Sequence, residues 1–204
     1  MNTNTYDLTT AEHLTVFALG IIPVALVAGL AVQLVALYRS YVYRRILTDF
    51  MEGRYSDLQL RAEKLRKKLG PDRRGKMKQK YAYAYNNLCH VLASLALFDG
   101  DEDTFLDRIS EVEFEEQYPM RAFTLALYYL AKGEREIAEE HYFDFKASPI
   151  QEDDMQAVLD HIFEPESVEE EELYDALNRF RNPATLYLLE KAGLLSAEED
   201  TEDE

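Results

Sequence analysis

The chain has 204 residues, a formal net charge of -17 and a single cysteine, Cys89. One cysteine excludes an intrachain disulfide and a thiolate zinc cage, and it suits a reducing compartment. The acidic balance argues against general nucleic-acid binding, which rests on neutralising phosphates. The charge is unevenly spread, however. Residues 39–80 carry 14 Lys/Arg against 5 Asp/Glu, a net of +9, and residues 81–204 carry 8 against 32, a net of -24.

Residues 1–13 form a short leading segment in which Thr9 and Glu12 have the spacing of a capping box. Residues 14–37, "LTVFALGIIPVALVAGLAVQLVAL", contain no charge and only Thr15 and Gln33 as polar side chains. As a helix they extend roughly 36 Å, enough to cross a hydrocarbon core of about 30 Å. Gly20 and Pro23 are tolerated in a membrane helix. A cleaved signal peptide, the rival reading, calls for a basic start and a shorter apolar region. The flank that follows carries Tyr38, Tyr41 and Tyr43, suited to the headgroup belt, and Arg39, Arg44 and Arg45; the preceding flank has no Lys or Arg. By the positive-inside rule the N-terminus lies outside and the C-terminal domain is cytoplasmic.

Residues 38–75 read as a basic juxtamembrane neck. Leu58, Ala62, Leu65 and Leu69 recur at steps of 4, 3 and 4, a helical stripe surrounded by Arg61, Lys64, Arg66, Lys67 and Lys68, and "GPDRRG" at 70–75 breaks the helix. Arg39, Arg44, Arg45, Lys64, Lys67 and Lys68 are candidate contacts to anionic lipid headgroups. The alternative is that these charges only fix topology and keep a connecting helix in solution.

Residues 76–195 are helical in pattern. Apolar residues recur at 3 or 4 from Met77 to Leu95, and a helix there ends at Gly100. A shorter one begins near Phe105. Helices follow over 118–131, 134–146, 151–163, from Ser167 to near Phe180, and from Pro183 to Gly193, with Ser148, Ser167 and Asn182 as expected N-caps. Sustained alternation is missing and Val, Ile and Thr never cluster, so the fold is all-α. The tail, 196–204, is dominated by acids and is expected to be disordered.

Gly100 and Gly133 stand 33 residues apart and prompt a search for a repeat. In "AFTLALYYLAKGEREIAEEHYFDFKASP", Ala122, Leu125, Ala126 and Tyr129 have the spacing of a first helix, Ala138 and Tyr142 that of a second, and Pro149 closes the unit. The segment resembles a tetratricopeptide repeat, with Ala122 for the usual Trp and Ala126 for the usual Gly. Small Ala126 and Ala138 would let two antiparallel helices approach closely. In the preceding unit Cys89, Leu92, Ala93 and Ala96 match, but Phe105 stands where a small residue is usual; the third pair, 151–180, carries no consensus residue. The resemblance implies a small tetratricopeptide-like solenoid of two or three helical pairs with a capping helix at 183–195, and an adaptor or scaffold role. Membrane-tethered members of that family regulate proteases or assist translocation and assembly.

No phosphate loop, nucleophile elbow or metal-ligand spacing occurs. Cys89 and His90 are adjacent and point about 100° apart on a helix. His141, beside Glu139 and Glu140, reads as a solvated surface histidine, His13 borders the span, and Glu169–Glu172 suit a helix start. No catalytic residue, cofactor, metal or small-molecule substrate is therefore expected. The expected function is membrane-tethered binding of a protein partner, with anionic lipid as a further contact; the alternative is a permanent subunit of a larger membrane complex. The candidate groove comprises Met120, Phe123, Leu127 and Leu130 on one first helix and Asn87, His90 and Ser94 on the one before. The rival reading makes the apolar stripe core, covered by the third pair or by the neck helix.

Overall fold

The computed structural model describes residues 10–72, 75–112, 118–150 and 152–195, with side chains in the first helix from Val24 onward. The chain divides into two compact units, one ending at Arg44 and the other beginning at Arg45. The described elements are all helical: α1 (Thr10–Met51), α2 (Leu58–Leu69), α3 (Gln79–Phe98), α4 (Glu102–Ser110), α5 (Met120–Ala131), α6 (Arg135–Ala147), α7 (Asp153–Phe163), α8 (Glu170–Arg179) and α9 (Pro183–Lys191), with a 3-10 turn at Pro165–Ser167. Thr9, the acidic tail and Arg73–Arg74 of the helix break lie outside the described residues.

In the first unit the side chains from Val24 to Leu37 are all exposed. The stretch Val24–Met51 is long and apolar enough to cross a membrane, with a mean hydropathy of 1.5. Helix α1 does not end with its apolar part but runs on to Met51.

The second unit begins inside what the sequence reads as a neck. Ile46 and Phe50, one turn apart on α1, are buried, as are Leu58, Ala62, Leu65 and Leu69 on α2. Helix α2 packs along α3. The neck helix α2 lies in the second compact unit, because its apolar stripe has a partner in α3. Phe50 stacks on Phe98 at 6.4 Å, Tyr55 lies 5.6 Å from Phe98, and Tyr187 meets Phe98 edge-on at 5.6 Å.

Beyond α2, successive helices pair as hairpins: α3 with α4, α5 with α6, and α7 with α8. Gly100 and Gly133 end the first helices of the first two hairpins at φ +74° and +76°, a region that glycine enters without a Cβ penalty. At each, the glycine N–H and the next N–H close back on the helix: Gly133 donates to the Leu130 carbonyl at 2.9 Å and Glu134 to that of Tyr129 at 2.9 Å. Ala126, Ala138, Leu125 and Tyr142 are buried, and Tyr129 stacks on His141 of α6 at 5.4 Å. Phe105 is accommodated rather than excluded, its ring tilted over Tyr128 at 4.7 Å.

Two expected caps are corrected. Ser148 is the C-cap of α6, and its hydroxyl donates to the Ile150 carbonyl; α7 starts later, after Glu152. Ser167 donates to the Glu164 carbonyl within the 3-10 turn, and α8 starts after Glu169. Asn182 caps α9 as its position before Pro183 requires, its Oδ1 accepting from Ala184 N at 2.9 Å and Thr185 N at 3.4 Å.

Helix α9 packs on α5 and α3. Phe123 stacks on Phe180 at 5.5 Å and lies 6.4 Å from Phe145. Phe123 and Leu127 are fully buried in one cluster with Leu188, Leu189, Val158 and Leu159. Because the chain after α8 covers Phe123 and Leu127, these two are core and offer no open groove surface. Leu127→Ala and, in α2, Leu65→Ala are each expected to cost about 2–5 kcal/mol in urea melts of the detergent-solubilised full chain followed by circular dichroism. A neutral Leu65→Ala would separate α2 from the body.

Candidate functional site

Of the residues expected to line a groove, three meet at one cleft. Tyr83, Asn87, His90 and Val91 present one side of α3; Tyr118 and Met120 come from the start of α5; Leu47, Phe50 and Met51 from the last turns of α1; Asn182 closes the rim. The cleft holds about 200 Å³, below the range of typical small-molecule pockets. It has room for one large side chain. Ser94 is buried one turn further along α3, Leu130 is half-buried, and Phe123 and Leu127 are in the core.

The polar groups of the wall are tied to one another. Tyr118 Oη donates to Asn87 Oδ1 at 2.7 Å, and the Tyr118 ring meets Tyr83 edge-on at 6.4 Å. His90 Nε2 lies 2.9 Å from Thr124 Oγ1 and His90 Nδ1 lies 3.4 Å from Ser94 Oγ, while Ser94 donates to the His90 carbonyl at 2.7 Å. With the Ser94 proton committed to that carbonyl, Nδ1 is the ring donor and Nε2 accepts from Thr124. Burial removes water from His90 and lowers its pKa from 6.5 to about 4. The imidazole is thus neutral and engaged on both sides by the Thr124 and Ser94 hydroxyls. Tyr83, 70% exposed, is the accessible lip.

Two ion clusters hold the elements that frame the cleft. At the end of α1, the buried Asp49 carboxylate accepts from Arg54 Nε at 3.0 Å and Nη2 at 2.7 Å and from Arg61 Nη1 at 2.8 Å, with Arg45 Nε at 3.3 Å. The Arg54 and Arg61 guanidinium groups hold its pKa at about 2. Between α2 and α4, Arg66 bridges Glu63 at 2.9 Å to Glu111 and reaches Tyr85 Oη at 3.3 Å; Arg108 joins Glu111 at 2.9 Å. Arg66 holds Glu63 at about 2, and burial pushes the Cys89 thiol up to about 11. That thiol is inert rather than nucleophilic.

The expected lipid contacts separate. Lys64, Lys67 and Lys68 are exposed on α2; Arg45 is exposed and paired with Asp49; Arg44 is exposed and Arg39 half-buried in the first unit. His141 is half-buried, stacked on Tyr129 and 3.5 Å from Asp144, which corrects its reading as a solvated residue. A second, acidic cleft of about 460 Å³ lies between α7 and α8, lined by Asp153, Asp154, Glu169, Glu171, Glu172 and Asp175, with Arg179 on Asp154 at 2.9 Å. Among the described residues no group of three or more His, Cys, Asp or Glu could hold a metal ion. No protein-family model, curated protein or solved structure matches the chain.

The contribution of Leu47, Phe50, Met51 and Asn182 to the cleft is absent from the sequence reading. The signal was the i, i+4 pair Ile46 and Phe50, which continues the apolar periodicity beyond the span.

His90 supplies a pH test. Its unfolded pKa of about 6.5 lies above its folded value of about 4, so the unfolded chain binds the extra proton between them. Stability is expected to fall by about 3 kcal/mol as pH drops through that window, and thermal melts of His90→Gln should lose this slope. The depressed carboxyls Asp49 and Glu63 contribute stability that is lost later, as pH falls from about 4 towards about 2.

Proposed function

We propose that the chain is a membrane-anchored interaction module, with α1 crossing the bilayer, its N-terminus outside, and a tetratricopeptide-like body holding a protein partner in the cytoplasm. The cleft beside α3 carries this reading. Apolar Leu47, Val91 and Met120 surround a space of side-chain size, with Tyr83 exposed at its mouth and Asn87 on its wall. An aromatic lip over an apolar pocket with a polar wall is the form of an anchor-residue site on interaction surfaces. The partner would insert one large apolar side chain.

Three further features support the family likeness: consecutive helical hairpins, glycine closures 33 residues apart, and buried Ala126 and Ala138 where the α5–α6 pair needs small residues. The orientation rests on Arg39, Arg44 and Arg45 following the apolar segment. A body that docks its partner reversibly also fits the remaining exposed apolar residues of the second unit. Among the described residues these are Tyr55, Leu60, Ile137, Phe143, Ile150 and Tyr174, spread over several elements, whereas a permanent subunit would present one broad apolar face.

A photo-crosslinking residue placed at Tyr83 in the full chain, in its native membrane, should give a discrete adduct with one partner. The same residue at exposed Phe143, on α6, should give none. Equal adducts at both positions, or none at Tyr83, would sink the cleft as the docking site.

A further inference from the structure

The outer face of α2 follows from its inner one. Leu58, Ala62, Leu65 and Leu69 turn towards α3 and are buried. At 100° per residue, Leu60, Lys64 and Lys67 then form a stripe on the opposite side with Lys68 flanking them, and all four are exposed, Leu60 at 70%. The only acid of the helix, Glu63, is drawn off this stripe by Arg66. Lys67 keeps a side contact to it at 3.3 Å, and the stripe carries no acid of its own. Exposed Lys76, Lys78 and Lys80 extend the positive surface past the helix.

We infer that the Leu60–Lys64–Lys67–Lys68 stripe of α2 docks on the anionic surface of the bilayer that α1 crosses. Three observations favour a bilayer over another occupant. The stripe is cationic around one projecting leucine, the composition of a helix lying in a headgroup layer. Fourteen helical residues and a six-residue turn separate Leu37, the last of the apolar stretch, from Leu58, so the start of α2 is tethered within about 45 Å of it. Among the described residues α1 is the one helix long and apolar enough to cross a membrane. The tether keeps the stripe at high local concentration near lipid, where each lysine strengthens attraction to anionic headgroups. The inference rests on the anchor reading above but not on the cleft.

The test uses the full chain in nanodiscs, one copy per disc, with a fluorophore on Leu60→Cys; Cys89 is buried and does not compete for label. A quencher is attached to the lipid headgroup. Quenching should be strong in phosphatidylcholine mixed with phosphatidylglycerol, weak in phosphatidylcholine alone, and should decline as salt rises. Lys64→Gln, Lys67→Gln and Lys68→Gln together should lower the docked-to-undocked ratio on the order of a hundredfold. Equal quenching in both lipids, no quenching in either, or an unaffected triple variant would overturn the docking. So would quenching that appears only with two copies per disc, which assigns the stripe to self-association. A carbonate wash of native membranes separates this from failure of the anchor: a chain retained in the pellet but never quenched loses the docking alone, and a chain released by the wash loses both.

Discussion

A carboxylate in the last turn of a helix faces the negative end of the backbone dipole, and burying it adds the loss of water. Asp49 is in that position, at 3% exposure. It is tolerated because Arg45 comes from its own helix, Arg54 from the turn that follows, and Arg61 from α2. The turn is closed at the same point by Arg54 N donating to the Asp49 carbonyl at 2.8 Å. Removing any of these guanidinium groups leaves a buried charge short of a partner, so α2 is pinned where its apolar stripe meets α3. The position of α3, and with it one wall of the cleft, follows from that corner.

The helices were legible because the punctuation is chemical: glycine at the left-handed closures, Asn182 before Pro183, apolar residues at 3 and 4. What misled was partner identity. Arginines of the neck read as topology signals, since the carboxylates that claim them, Asp49, Glu63 and Glu111, are distant or unremarkable in sequence. Arg66 binds an acid 45 residues away, and no local pattern announces that. The stripe of α5 was equally ambiguous. Met120, Phe123, Leu127 and Leu130 have the period of any buried or groove-lining face, and only the return of Phe180 and α9 decides that Phe123 and Leu127 are core. Ser148 and Ser167 fail as caps because their hydroxyls are taken by carbonyls within a few residues, the competition that suits serine to turns as well as to helix starts.

The cleft shows the same division. Asn87, His90 and Met120 came from helical spacing combined with the repeat resemblance, and they line one cleft. Leu47, Phe50 and Met51 of its apolar side came from residues read as membrane-proximal. His90 is the instructive member: a buried histidine beside hydroxyls invites a catalytic reading, yet Ser94 and Thr124 satisfy both ring nitrogens and leave it neutral. It shapes the wall and makes the body sensitive to acid.

Helical-hairpin arrays in which each unit touches only its neighbours unravel from their ends. Here Phe50, Tyr55, Phe98 and Tyr187 form a chain of ring contacts joining the first element of the body, the end of α1, to its last, α9. The ends of the array are stitched together, so neither can fray without releasing the other. Tension delivered through α1 reaches Phe98 and Tyr187 at once. Pulling on α1 is therefore expected to load the first and last elements of the body together.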